Sequence, residues 1–311
     1  MIVAITGGTG FIGKALVLRH LELGDEVRVL SRQASGLPDS VRWHKGDLLN
    51  FENLLSFVEG AEVLYHSAGQ LTDTSIMRSL HVDATRRLTE LASTRIAHWV
   101  QLSSVGVYGP VSSGVITERS ILNPAGEYEI TKTESDRIVL DAAQKGAFTC
   151  TILRPSIVFG AKMKNRSLFS MIEMIDRGLF FFIGKPGASA NYIHVDNVAE
   201  ALVRCATQPQ AKDRIYNLSD YRTMEEFVGA IALCLGKPAP GLRIPASPAK
   251  AVSRIFGRIS GFPLTPSRVD ALTNRSVYSI DMIRQELGYE HIVSMKIGIH
   301  ELVKAYRNRR L

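Results

Sequence analysis

Short apolar runs alternate with longer segments of helical period through the first two hundred residues. The runs at 2–6, 26–30, 41–44, 63–66, 98–102 and 149–153 read as strands, and the segments 14–23, 52–58, 79–93 and 128–145 between them read as helices. Gly24 and Gly60 close the first two of those helices. Continuous rather than alternating apolar character marks strands covered on both faces, and strand–helix alternation builds a parallel sheet. The predicted fold class is α/β, a doubly wound parallel sheet with a smaller C-terminal lobe.

Beyond Pro155 the alternation loosens. Helices are expected over 167–177 and 198–207, with a short strand over 192–194 between them. Pro238, Pro240, Pro245 and Pro248 then interrupt any regular pattern, because proline lacks an amide donor and clashes with the preceding turn. The chain divides into 1–223, which forms the sheet domain with an insertion near 161–190, and 224–311, which forms most of the second lobe. Lys250, Arg254 and Arg258 recur at four-residue intervals beside Val252, Ile255, Phe256 and Ile259 in the segment ending at Phe262. That amphipathic pattern suits a packed lid or a helix lying on a membrane surface.

At 311 residues, 45% hydrophobic and 22% charged, the chain can bury a large core and is neither disordered nor fibrous. No apolar run approaches the ~20 residues that span a bilayer. The run from Leu179 to Ile183 is bounded by Gly178 and Gly184. The N-terminus reads directly into a strand rather than a basic leader, so the expected compartment is the cytosol. Cys150, Cys205 and Cys234 form no Cys-x-x-Cys pair and are expected to be inert core thiols, with no metal site. The net charge of +7 favours anionic partners. Part of the excess is late in the chain, in Lys304, Arg307, Arg309 and Arg310, where a solvated helix face is the expectation. No nucleic-acid reading motif accompanies the charge.

The strongest chemical signal is Thr6-Gly7-Gly8-Thr9-Gly10-Phe11-Ile12-Gly13, which follows a strand and opens a helix. Gly7 and Gly8 permit a tight turn, Gly10 lets backbone approach a pyrophosphate, and Gly13 lets helix and strand pack closely. The helix N-terminus stabilises the phosphate charge with free amides and its dipole. Such a turn predicts that 1–223 is a Rossmann-type dinucleotide-binding domain. At the end of the second strand, where an NAD site places Asp or Glu for the ribose 2′-hydroxyl, Ser31 and Arg32 stand instead. Ser31 can donate to a 2′-phosphate and Arg32 can clamp it, which favours NADP over NAD; an arginine there also serves as a solvated surface residue. Asp47, beside Leu48, is placed to meet the adenine amino group, and His66-Ser67-Ala68-Gly69 supplies the small residues a cofactor lying across the sheet edge requires.

Tyr128 and Lys132 are four apart and share a helix face. A free phenol, with its pKa near ~10, is a poor base at neutral pH, but an adjacent ammonium and a nicotinamide cation both favour the phenolate. Tyr128 could then exchange a proton with a hydroxyl or carbonyl, with Lys132 also holding ribose hydroxyls. Ser103 and Ser104 terminate the fifth strand, where a hydroxyl can reach the same substrate oxygen.

The strings TGGTGFIG, GDL, HSAG, SSVGVYG, YEITK, LRPSIVFG and YIHVDNVAEAL occur in an order and spacing that resemble the extended short-chain dehydrogenase/reductases, across nearly the whole chain. The resemblance implies Gly7, Gly10 and Gly13 on the pyrophosphate with Phe11 and Ile12 in the same turn, Asp47 and Leu48 at adenine, and Ala68, Gly69 and Ser103 along the cofactor. It implies Ser104, Tyr128 and Lys132 as the catalytic set. Arg154-Pro155-Ser156 resembles the segment beside the nicotinamide, with Pro155 in contact, and His194-Val195-Asp196 resembles a hinge near the substrate lobe. One departure is His81, where the family has Asn; a buried, hydrogen-bonded substitute is expected, with an altered proton relay as the alternative.

The function this implies is an NADP-dependent reductase or epimerase at a keto or hydroxyl carbon of a nucleotide-linked sugar. Lys162, Lys164 and Arg166 could contact the substrate diphosphate or could equally face solvent. The alternatives are a reductase of hydrophobic ketones, similar to dihydroflavonol reductases or 3β-hydroxysteroid dehydrogenases, and a non-catalytic NADPH-binding subunit. Dehydration is disfavoured because Val105 and Gly106, not an acidic pair, follow Ser104. The resemblance also implies a homodimer through paired long helices.

Overall fold

The computed structural model describes residues 1–34, 36–51, 53–163, 165–256 and 266–309. Glu52, Lys164, Arg310 and the 257–262 part of the basic stripe lie outside the described residues. The first half builds the nucleotide-binding type of sheet that the apolar runs predict. β1 (Ile2–Thr6) leads through a glycine turn into α1 (Phe11–Glu22), followed by β2 (Glu26–Ser31), β3 (Arg42–Lys45), α2 (Leu54–Val58) and β4 (Val63–His66). A π-helical segment, Ser79–Asp83, continues as α3 (Ala84–Ala92), followed by β5 (His98–Leu102), a 3-10 turn Val105–Tyr108, β6 (Ser113–Ile116), α4 (Glu127–Gln144) and β7 (Thr149–Pro155).

The chain then leaves the sheet through β8 (Ile157–Phe159), α5 (Ser167–Asp176), β9 (Phe182–Ile183) and β10 (Ser189–His194), and returns along α6 (Val195–Thr207) to β11 (Arg214–Leu218). The remainder is β12 (Asp220–Thr223), α7 (Met224–Leu235), β13 (Arg243–Ile244), α8 (Ala246–Phe256), α9 (Pro266–Thr273), β14 (Arg275–Tyr278), α10 (Asp281–Leu287) and α11 (Met295–Asn308). α7 has both end signals its sequence needs: a Thr223–Glu226 capping box, and Gly236 in the left-handed region at its C-terminus.

Seven parallel strands pair in the order β11-β7-β5-β4-β1-β2-β3. Helices cover both faces. Val3, Ile5, Val29, Tyr65 and Val100 pack beneath one layer with Leu16 of α1 and Leu202 of α6, while Ala4, Leu64 and Trp99 pack beneath the other with Leu88 of α3 and Val139 of α4. Successive strand residues thus feed opposite cores, which is why the strands read as unbroken apolar runs. A separate cluster joins Phe159, Phe169, Ile172, Phe182, Tyr192, Phe227, Ile231, Ile299 and Leu302 into the second lobe. Ile283 and Leu287 of α10 pack on the main sheet's cluster rather than on that one.

Strand order reverses between β1 and β4. At such a point neighbouring connections leave to opposite faces and open a crevice at the carboxyl edge.

Candidate functional site

The turn after β1 closes by a Gly10 N–H to Gly7 carbonyl bond of 2.8 Å. Gly7 lies at φ +70°, and a Cβ there would stand 2.7 Å from the Ala68 nitrogen. A Cβ on Gly13 would overlap the Gly7 carbonyl oxygen. Gly8 differs from expectation: its backbone is ordinary, and it is small because a side chain would meet Val29 Cγ1 at 2.7 Å. It serves packing on β2 rather than the turn itself. No side chain caps α1 at Gly10, so its first amides face the crevice available to an anion. Phe11 reaches toward the lobe, where a Cβ on Gly160 would be 3.3 Å from its ring, while Ile12 packs on the sheet's core.

At the end of β2 the Ser31 hydroxyl donates to the Gln33 carbonyl at 2.7 Å and accepts from the Trp43 indole at 3.1 Å. The expectation that Ser31 donates outward is therefore corrected: its proton is already committed. Arg32 is exposed at the end of β2. Asp47 accepts from the Leu49 amide at 3.0 Å, and Leu48 is buried with Leu30 and Leu54.

Beyond β4, Thr6 and His66 are 2.8 Å apart, and His66 reaches Thr85 at 3.0 Å. Thr85 donates to the His81 carbonyl, so it accepts from His66 Nε2, and Nδ1 of that ring accepts from Thr6. Burial, with Lys132 nearby, lowers His66 from 6.5 to about 3. His81 is likewise lowered to about 3, first by burial and then by Lys132. Its Nε2 accepts from the Gln70 amide at 2.9 Å and its Nδ1 meets Thr131 at 2.8 Å. A neutral imidazole therefore ties the loop beyond Ala68 and Gly69 to the helix carrying Tyr128, and its ring lies edge-on to Tyr128 with centroids 5.7 Å apart. This is the buried, hydrogen-bonded substitute expected at the Asn position.

Ser104 starts the 3-10 turn, its Oγ accepting from the Gly106 amide at 3.1 Å, and that turn packs on α4, the helix that carries Tyr128. The phenol itself departs from expectation. Burial first, then Glu129 and Asp136, push Tyr128 from 10.0 to about 12, with Ser104 opposing. Sequence spacing predicts an ammonium that lowers it, but Lys132 Nζ donates to the Leu102 carbonyl at 2.6 Å. Burial also lowers Lys132, against the pull of Asp136. Ser103 points away from the crevice, its hydroxyl 2.7 Å from Asp136. Pro155 ends β7 opposite Leu218.

The sequence profile of the NAD dependent epimerase/dehydratase family matches residues 3–219. The chain belongs to that family. This epimerase/dehydratase relative is 23% identical to the UDP-glucose 4-epimerase of Vibrio cholerae over 98% of its own length and 95% of that protein's. It is 26% identical to the 3-beta-hydroxysteroid dehydrogenase of Mycolicibacterium neoaurum, over 98% and 91% respectively. Its fold superposes on the UDP-glucuronic acid 4-epimerase of Bacillus cereus in complex with NAD with a TM-score of 0.78 at 16% identity, covering both chains fully. It is an extended short-chain dehydrogenase/reductase, an oxidoreductase or epimerase that uses a nicotinamide dinucleotide. The glycine cradle and uncapped helix start fit that group.

Other expected residues of this epimerase/dehydratase homologue are placed elsewhere. Lys162 and Arg166 are exposed at the start of the lobe. His194 is buried as the N-cap of α6, with its ring against Phe159. Phe180, Phe182 and Ile183 are buried, so packing accounts for those residues of the apolar run, while Leu179 is exposed. Cys150 and Cys205 are buried, and burial pushes the Cys150 thiol up to about 12. Among the described residues no helix is long and apolar enough to cross a membrane. Sequence reasoning missed Asp136, Tyr108 and Asn217; Asp136 was findable as the next residue along the helix face bearing Tyr128 and Lys132.

Proposed function

We propose that the protein is an NADP-dependent reductase or epimerase acting at a keto or hydroxyl carbon of a nucleotide-linked sugar, with Tyr128 as its acid/base, Ser104 steadying the substrate oxygen and Lys132 as the supporting cation. The observation that carries this reading is the packing of the turn headed by Ser104 against α4, the helix that carries Tyr128 and the buried Lys132, whose ammonium is tied to the end of β5. The dinucleotide, when bound, supplies or accepts a hydride.

A phenol held near 12 is a proton donor at neutral pH. Protonated, Tyr128 can deliver its proton to a carbonyl oxygen as hydride reaches the carbon. For the reverse, it must first lose that proton, and a cation close to the ring is then needed. Lys132 can supply this by exchanging its bond to the Leu102 carbonyl for one on the substrate side. His81, neutral throughout the physiological range, holds the helix and loop rather than relaying the proton.

Support for a sugar nucleotide comes from the named epimerase relatives, the net charge of +7, and Lys162 and Arg166 exposed where the lobe begins. Support for NADP is the free, exposed Arg32 with no acid at Ser31. A second reading, reduction of apolar ketones, is favoured by the similarity to 3-beta-hydroxysteroid dehydrogenase. A homodimer through the long helices α3 and α4 is part of the proposal, with light scattering as its test.

The deciding experiment is turnover of UDP-glucose and UDP-glucuronic acid with NADP⁺ and with NAD⁺, and of 4-keto sugar nucleotides and a steroid ketone with NADPH and with NADH. Conversion of a sugar nucleotide with NADPH, abolished by Tyr128→Phe, is the expected result. Activity with NADH alone overturns the Arg32 argument, and undiminished turnover by Tyr128→Phe overturns the assignment of the acid/base.

A further inference from the structure

One carboxylate is buried directly behind the proposed catalytic group. Asp136 is one helical turn beyond Lys132 on α4 and is 1% exposed. Its Oδ2 accepts from the Ser103 hydroxyl at 2.7 Å and from Arg154 Nη2 at 3.4 Å. Arg154 Nη1 donates to the Tyr108 hydroxyl at 3.1 Å, with the guanidinium carbon 5.3 Å above that ring. The Tyr108 hydroxyl in turn donates to Asn217 of β11 at 2.8 Å.

These contacts bracket the turn that carries Ser104. Ser103 immediately precedes it, and Tyr108 ends it. A single carboxylate thus fixes the near end directly and the far end through Arg154. A buried ion pair of this kind contributes little net stability, yet it specifies geometry when its members are otherwise hydrogen-bonded. The carboxylate also stands in the field of the site: two buried cations, Lys132 and Arg154, face one buried anion.

We infer that Asp136 is a positioning residue, holding the Ser104 turn against Tyr128 and setting the electrostatic balance between Tyr128 and Lys132. The inference rests on the acid/base reading above. The groups that act on the Tyr128 phenol are Glu129 and Asp136 from its own helix and Ser104 from the turn, with the neutral His81 edge-on to its ring and Lys132 one turn along the helix, tied to the Leu102 carbonyl. Removing the Asp136 charge takes away one of the two anions that raise the phenol and the anion that supports the Lys132 charge. Both groups then lose their protons at lower pH.

The test uses the full chain saturated with NADP⁺ and needs no substrate. Ultraviolet difference titration of wild type against Tyr128→Phe isolates the Tyr128 phenolate. In D136N its midpoint moves to lower pH by roughly half a unit to one unit, as a screened charge a turn or two away requires. D136E, which restores the charge, returns it toward wild type. Hydrogen exchange of the 104–109 amides reads the clamp: in D136N and in Ser103→Ala exchange becomes about tenfold faster, the loss of one buried hydrogen bond.

An unshifted D136N midpoint, or failure of D136E to restore it, overturns the inference. Should D136N not fold, Ser103→Ala, which keeps the carboxylate, decides by its exchange rate alone: unchanged protection of the turn overturns the positioning role. Failure of the underlying reading is seen separately, as retained turnover in Tyr128→Phe while D136N still shows both the shifted midpoint and the faster exchange.

Discussion

Replacing His66 by glutamine should make the protein less sensitive to mild acid. The neutral ring bridges Thr6 on β1 and Thr85 on α3. Thr85 also meets Ser135, which accepts from Gln101 of β5, whose carbonyl accepts from the Trp99 indole. Protonation would place a proton on Nδ1, where Thr6 already donates, and would charge a fully buried group. That is why burial, ahead of the Lys132 charge, lowers His66 from 6.5 to about 3. Since the folded form gives up its proton more readily than the unfolded one, the unfolded chain binds more protons between those two values. Stability is complete above 6.5 and drains away as pH falls toward 3. At about pH 5 the loss from this residue is roughly 2 kcal/mol, or a Tm lower by roughly 3–6 °C. Asp136, raised by burial, acts in the opposite sense at the acid end of that window. His20, His81 and His98 are also lowered by burial, so the difference between wild type and H66Q isolates this one group. The assay is thermal unfolding by circular dichroism between about pH 7.5 and pH 5. Equal losses of Tm in the two proteins would refute the reasoning.

Gly13→Ala puts a methyl into the backbone of Gly7 and Gly8 with nothing flexible to yield; overpacking of about 1–3 kcal/mol should weaken NADP⁺ binding roughly tenfold or more in a fluorescence titration. Gly229→Ala, on α7 with open space around it, should instead raise stability by about 0.5–1 kcal/mol in urea unfolding. Arg32→Ala should raise the Kd for NADP⁺ roughly tenfold or more at low salt while changing NAD by less than about twofold, and the gap should narrow with added salt. His81→Leu, which cannot accept from the Gln70 amide or meet Thr131, should raise the KM for dinucleotide several-fold, and His81→Asn should recover much of it, in steady-state kinetics.

Strands 63–66 and 98–102 were legible to the residue, because burial on both faces leaves an unbroken apolar signature. The helix expected over 79–93 is a single rod by periodicity, yet its first turn is π-helical at Ser79–Asp83. No hydrophobic pattern encodes that change of pitch, and it is where His81 sits. β11 went unread although it is the seventh strand of the main sheet, because Asn217 among apolar neighbours resembles a loop residue until Tyr108 supplies its partner. β6 and β14 went unread because each is short and half-exposed. Within the site, Tyr128 and Lys132 were legible from one helix turn of spacing. Spacing reveals which groups are neighbours but not their burial, which raises the Tyr128 phenol and lowers the Lys132 ammonium. The relays through Thr85, Ser135 and Asp136 join positions tens of residues apart, and only the folded chain brings them together.

The return of the chain to the main sheet has a consequence for how the protein is made and cut. β11 is added only after β8, α5, β9 and β10 have been laid down, β14 must find β6 across more than a hundred and fifty residues, and α10 docks back on the sheet's own core. α10 covers part of the main sheet's core, so severing the chain near Met224 would leave the first half with an uncovered face. Pairings this distant in sequence are slow to close, because the intervening chain must lose its freedom before the contact forms.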